Sequence, residues 1–76
     1  MLFLIEYDRR GGQIITFERY PDSRRREAEE ARLSMELRLS RAGIEREVVL
    51  LEAASEAALR ITHRRYFESL GVLAAG

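Results

Sequence analysis

The sequence of 76 residues contains no cysteine, no lysine and no asparagine, and it has a single proline. The absence of cysteine excludes a disulfide scaffold, a thiolate zinc site and a cysteine nucleophile. No apolar stretch approaches the roughly 20 residues that a membrane-spanning helix needs. The opening apolar residues meet Glu6 at once and follow no basic segment, so they do not fit a secretory signal. We therefore expect a soluble, cytoplasmic protein.

Net charge is absent as well, because thirteen basic residues balance thirteen acidic ones. This balance disfavours a generally basic nucleic-acid module and an acidic disordered tail. All the basic residues are arginine, which is typical of a GC-rich bacterial gene or, alternatively, of selection for bidentate anion recognition. A chain of this length makes one domain, which we place at residues 1–71, followed by a flexible tail at 72–76.

Apolar segments and turn residues predict the element order β-β-α-β-α. Strands are predicted at residues 2–7, 13–20 and 47–53, with a glycine-containing hairpin loop between the first two. The first helix is predicted from about residue 22 to about residue 42, where a left-handed Gly43 ends it. A second helix is predicted to begin after a capping Ser55 and to end near residue 71.

These elements predict an α+β domain with a three-stranded antiparallel sheet in the order 2-1-3. A right-handed crossover through the first helix leaves the third strand beside the first. In this arrangement both helices pack on one face of the sheet. The expected architecture resembles half of a ferredoxin-like fold.

The predicted sheet carries apolar side chains on both faces, whereas a half-solvated antiparallel sheet alternates apolar and polar residues. Two helices on one face leave the other face without cover. Each large apolar side chain left in water there forfeits roughly 1.5–3 kcal/mol. We therefore expect this face to bind a second copy of the chain, with a different protein as the alternative partner. The other possibility is that the second helix or the tail wraps to this face and the chain is a monomer. The residues expected at that interface are Leu2, Leu4, Val49 and Leu51.

The first predicted helix has two apolar stripes. Residues 28, 31, 35, 39 and 42 fall on one side, which we expect to face the sheet. Leu33 and Leu37 fall on the opposite side. This second stripe is the other surface predicted to mediate self-association.

An arginine cluster stands at the predicted start of the first helix, where the helix dipole favours acidic residues instead. Free N–H groups and guanidinium groups together can bind an anion or a nucleic-acid phosphate. Arginines of the hairpin loop contribute if the loop lies nearby. The alternative is a solvated turn, in which these arginines pair with glutamates four residues later. The candidate anion-binding residues are Arg24, Arg25, Arg26, Arg9 and Arg10.

The one histidine, His63, is a candidate general base, with Glu56 and Tyr66 as helpers. No second histidine and no close carboxylate pair stands at ligand or triad spacing, so we predict no metal and no cofactor. The alternative is a histidine at the margin of an apolar helix face. The sequence as a whole favours a small non-catalytic protein-interaction domain that self-associates. Anion or nucleic-acid binding is the second hypothesis, and an enzyme that uses His63 is the third.

Overall fold

The computed structural model describes residues 1–68. The elements are β1 (Leu2–Asp8), β2 (Gln13–Tyr20), α1 (Arg25–Ala42), β3 (Glu47–Glu52) and α2 (Glu56–Thr62), with short 3₁₀ helices at Asp22–Arg24 and Arg64–Tyr66. This confirms the predicted element order. The predicted tail at 72–76 lies outside the described residues. Within residues 1–68, none of the helices combines the length and apolarity needed to cross a membrane.

The three strands form one open sheet in the order β2-β1-β3. Both neighbours run antiparallel to β1, so that Leu4 pairs with Glu18 on one side and with Leu50 on the other. The predicted fold class and strand order are therefore confirmed. The central strand is the most buried element, with Leu2 to Glu6 all inaccessible to solvent or nearly so.

The two helices lie on opposite faces of the sheet. On one face, Leu4 packs with Met35 and Leu39 of α1. On the other face, Phe3 packs in a cluster that contains Leu59 of α2. The prediction that both helices share one face is wrong. A central strand that is apolar on both sides needs two covers, and this chain supplies both of them.

A β-bulge in β2 shifts the alternation of its side chains. Tyr7 pairs with Ile14, and the register then skips Ile15 before pairing resumes. The bulge places Ile14 in the same core cluster as Phe17, while Ile15 is exposed. Strict alternation along β2 would place Ile15, and not Ile14, on the same face as Phe17.

The end of α1 follows the prediction. Gly43 has a left-handed backbone with φ of 68°. Its N–H donates to the Ser40 carbonyl at 3.1 Å, and the Ile44 N–H donates to the Leu39 carbonyl at 2.9 Å. These two bonds satisfy carbonyl groups that the helix end leaves without partners.

The second helix begins as predicted but ends early. The Ser55 hydroxyl accepts a hydrogen bond from the Ala58 N–H at 3.1 Å, which caps the helix. The helix ends at Thr62 and not near residue 71, because the backbone at His63 leaves the helical region. The 3₁₀ helix that follows ends at Tyr66, which is buried. Residues 69–71 of the predicted helix lie outside the described part of the chain.

Candidate functional site

The outward face of α1 carries an exposed aliphatic pair. Leu33 and Leu37 are 55% and 47% exposed, whereas Ala28, Met35 and Leu39 of the same helix are buried. At 3.6 residues per turn, the exposed pair lies one turn apart on the side opposite the sheet. We call Leu33 and Leu37 the outward stripe.

Charged residues of opposite sign stand at the two ends of the outward stripe. Glu30 precedes Leu33 by three residues, and Arg41 follows Leu37 by four. Both charged residues are exposed, and the helical repeat places them on the same flank of the stripe. This flank of the outward face is therefore acidic beside the start of the stripe and basic beside its end, and exposed Arg26 lies one turn further towards the start of α1 on the same face.

The expected sheet-face interface is not an open surface. Leu2 and Leu4 are buried on the side of β1 that faces α1, within the chain itself. Val49 and Leu51 lie on the opposite side, where they pack against the cluster of Phe3. The prediction that these four leucine and valine residues form one uncovered face is therefore wrong. The self-association hypothesis now depends on other surfaces.

The five candidate anion-binding arginines do not meet. The hairpin loop with Arg9 and Arg10 lies at one end of β1, whereas α1 begins at the other end, next to the Leu2–Tyr20 pair. A seven-residue strand separates these ends by about 20 Å.

The arginines at the start of α1 also have acidic neighbours. Arg25 donates to Glu52 at 2.8 Å, and Arg24 lies 3.4 Å from Glu27. These partners differ from the predicted ones four residues later in the helix. Each pair is exposed, so it contributes little to stability. Each pair nevertheless places a carboxylate beside the guanidinium group that would have to bind the anion.

The side chains of the three candidate catalytic residues make no hydrogen bonds to one another within residues 1–68. Glu56 accepts a hydrogen bond from Arg19 and lies 3.7 Å from Arg60. Tyr66 is buried and bonded elsewhere. His63 makes no side-chain hydrogen bond within residues 1–68. That part of the chain also lacks any cluster of three histidine or acidic side chains suited to a metal ion.

A charged cluster around Glu47 was not anticipated from the sequence. The Glu47 side chain is only 9% exposed. It accepts hydrogen bonds from Arg9 Nε at 2.8 Å, from Arg65 and from the Tyr66 hydroxyl. Tyr7 contacts Tyr66 edge-to-face, with ring centroids 5.2 Å apart. The cluster joins the hairpin loop, β3 and the 3₁₀ helix after α2.

Protonation of this cluster follows from its contacts. Burial alone raises the pKa of Glu47, but hydrogen bonds from Tyr66 and Arg9 and the charge of Arg65 outweigh it, so the pKa lies below the ordinary 4.5. Burial raises the pKa of Tyr66, and the hydrogen bond to Glu47 raises it further. The cluster therefore holds an ionised glutamate and a neutral tyrosine at neutral pH. Its donors and acceptors are used within the chain, which is typical of a structural role.

A second buried carboxylate, Glu6, lies on the α1 side of the sheet. It accepts a hydrogen bond from Thr16 at 2.8 Å, and its other oxygen lies 3.5 Å from Arg46 Nε. That Nε is buried and makes no hydrogen bond within the described chain. Arg46 also lines a cavity of about 580 Å³ whose walls carry arginine and acidic side chains together. The mixed charge favours neither an anion nor a cation.

The structure thus defines a small α+β domain with an open three-stranded antiparallel sheet and one helix on each face. Its exposed surface includes the outward stripe and the two sheet edges, and the carboxylates of Glu47 and Glu6 have their partners within the chain. Comparison of the chain with protein-family models, with curated proteins and with solved structures finds no match.

Proposed function

We propose that the chain is a non-catalytic protein-interaction domain that self-associates through the outward stripe of α1. The supporting observation is the exposure of Leu33 and Leu37 at the middle of an 18-residue helix whose other side is buried. Because each leucine is only about half exposed, burying the remaining surface contributes roughly 0.75–1.5 kcal/mol for each side chain. An aliphatic pair rimmed by charges is typical of a contact surface.

The outward face of α1 is complementary to an antiparallel copy of itself. A two-fold axis near the middle of the stripe sets Leu33 opposite Leu37 of the second copy, and the reverse. The same axis brings Glu30 opposite Arg41 of the second copy, because both residues lie on one flank. Two apolar contacts and two ion pairs then form together, and the charges fix the antiparallel direction.

The proposal is tested by the molar mass in solution, measured by size-exclusion chromatography with light scattering. The parent is expected to elute as more than one chain, and a Leu33→Glu/Leu37→Glu variant with a lower mass. Ile61→Glu is the matched control, because Ile61 is 75% exposed on a different helix. Its mass is expected to equal that of the parent. If the parent protein has the mass of a single chain at high micromolar concentration, the proposal is contradicted.

A charge-reversal pair tests the antiparallel arrangement. The Arg41→Glu variant carries a negative charge opposite Glu30 of the second copy. Because like charges then meet, we expect weaker association. Adding Glu30→Arg restores opposite charges and is expected to recover the parental mass. Failure of the second change to recover association contradicts the two-fold geometry.

The two other hypotheses have less support from the structure. Anion binding by five arginines requires them to converge, but they lie at opposite ends of the sheet. Catalysis by His63 requires a partner within hydrogen-bond reach, but its two candidate helpers are bonded to other residues.

A further inference from the structure

We propose that the free edge of β3 pairs with β3 of a second copy, to form a continuous six-stranded antiparallel sheet. This contact is separate from the outward stripe and goes beyond the proposed function. It is supported by the backbone of β3, by the contrast between the two sheet edges and by the charges on one flank of α1.

The backbone register shows which groups of β3 point outwards. The Ala53 N–H donates to the Met1 carbonyl at 3.0 Å, which makes this pair a hydrogen-bonded one. In an antiparallel ladder such pairs alternate, so residues 47, 49 and 51 direct their backbone groups towards β1. The N–H and C=O groups of Val48, Leu50 and Glu52 therefore point away from the sheet. Within residues 1–68, no other strand lies beside them.

The two edges of the sheet differ in how they are protected. β2 has the bulge at Ile15, charged residues at Glu18 and Arg19, and Pro21 directly after it. Bulges, charges and proline are the features with which proteins prevent edge pairing. β3 has none of them between its terminal glutamates, where its sequence is Val-Val-Leu-Leu. All four of these residues are only partly buried, so an added strand would bury them further.

One flank of α1 indicates that the added strand belongs to a second copy. Arg25 at one end of this flank donates to Glu52, and Glu36 at the other end shares a cavity wall with Val48. The flank therefore lies above β3. Its residues alternate in charge: Arg25, Glu29, Arg32 and Glu36.

A two-fold axis that pairs β3 with itself also sets the two α1 helices antiparallel, side by side. An axis between residues 30 and 31 places Arg25 opposite Glu36 of the second copy, and Glu29 opposite Arg32. All four cross-helix pairs then have opposite charges. An extended segment of an unrelated protein satisfies the backbone of β3 but not these charges, so a second copy is the better fit.

The spacing of strands and helices permits this contact. α1 packs over β1 and β3, and neighbouring strands lie about 4.8 Å apart. When the two-fold axis lies between the two copies of β3, the axes of the two α1 helices are separated by about two strand spacings. That separation agrees with the roughly 8–10 Å between the axes of packed helices.

The test uses the Leu33→Glu/Leu37→Glu variant, in which the stripe contact is removed. This protein is expected to retain the mass of two chains. Adding Arg32→Glu places a like charge opposite Glu29 and is expected to reduce the mass to one chain, and adding Glu29→Arg as well is expected to restore two. Both positions changed after the stripe, Arg32 and Glu29, are exposed, so the fold is retained.

Amide hydrogen exchange of the same variants supplies a second readout. The outward amides of Val48 and Leu50 are expected to exchange slowly in the two-chain form and at least tenfold faster in the Arg32→Glu form. The amide of Val49, which points to β1, is the internal control and is expected to stay protected in both. Equal exchange at Val48 and Leu50 in the two forms overturns the β3 contact.

The outcomes separate this inference from the proposed function. If the parent associates and the stripe variant has single-chain mass, the stripe contact stands and the β3 contact is overturned. If the stripe variant keeps the parental mass and Arg32→Glu lowers it, the β3 contact stands and the stripe contact is overturned. If the parent itself has single-chain mass at high micromolar concentration, both are overturned.

Discussion

The Tyr66 hydroxyl donates a hydrogen bond to the Glu47 carboxylate and thereby ties the 3₁₀ helix after α2 to the first residue of β3. Arg9 of the hairpin loop donates to the same carboxylate. One glutamate therefore holds three segments that are distant in sequence. The contact fixes the cover on one face of the sheet, the face on which Phe3 packs with Leu59.

Tyr66→Phe is expected to lower the free energy of unfolding by about 1–2 kcal/mol, because the mostly buried Glu47 loses a donor. Urea unfolding followed by circular dichroism measures this loss. Tyr20→Phe is the matched control, since the Tyr20 hydroxyl donates to an exposed Glu18 at 2.8 Å. The control is expected to change stability by no more than about 0.5 kcal/mol. Equal losses in the two variants contradict a structural role for the cluster.

The depressed pKa of Glu47 predicts a pH dependence of stability. Because the pKa is lower in the folded than in the unfolded chain, the contribution is complete above the ordinary pKa of 4.5 and is lost as the pH falls through the folded value. Glu47→Gln cannot ionise, so its stability deficit relative to the parent is expected to shrink on acidification. Unfolding at neutral and at acid pH measures the deficit. A deficit that is independent of pH contradicts the prediction.

Arg46→Met is expected to destabilise the chain by about 2–4 kcal/mol, because it leaves the buried Glu6 carboxylate without its positive neighbour. Arg46 is partly exposed, so the loss is less than for a fully buried pair. Glu6→Gln/Arg46→Met removes both charges and is expected to be more stable than Arg46→Met alone. A double-mutant cycle from urea unfolding gives the coupling. Additive effects of the two changes would show that the pair does not interact.

Gly43→Ala is expected to lower stability by about 1–2 kcal/mol, because alanine is strained in a left-handed backbone. An added Cβ meets no atom within 4 Å, so the loss is conformational and involves no clash. Gly43→Asn is expected to lose less, since asparagine tolerates this conformation better. Thermal and urea unfolding of the three proteins rank them. An asparagine variant no better than the alanine one argues against backbone strain as the cause.

Much of the fold follows from local patterns in the sequence. Gly43 and Ser55 mark helix ends because their roles depend on neighbouring backbone groups only. The strand order follows from short connections and the handedness of the crossover. The apolar character of β1 on both sides also indicates that both of its faces are covered, as they are.

The remaining features depend on tertiary contacts. Either α2 or another chain could cover the sheet face that carries Phe3. The sequence does not distinguish between these arrangements, because both bury the same residues. The end of α2 at Thr62 has no proline or glycine to mark it. Tyr66 therefore could not be placed beside Glu47. The strand order alone pairs Tyr7 with Glu47. This pairing is the one feature of the cluster that the sequence could have predicted.

Sedimentation velocity of the parent over a concentration series tests the central claim, self-association, most directly. We predict a sedimentation coefficient that rises with concentration towards a species heavier than the single chain of 8.8 kDa. The same series with Leu33→Glu/Leu37→Glu is predicted to reach a lower limiting mass. A parent that sediments as one 8.8 kDa species at every concentration would contradict the account.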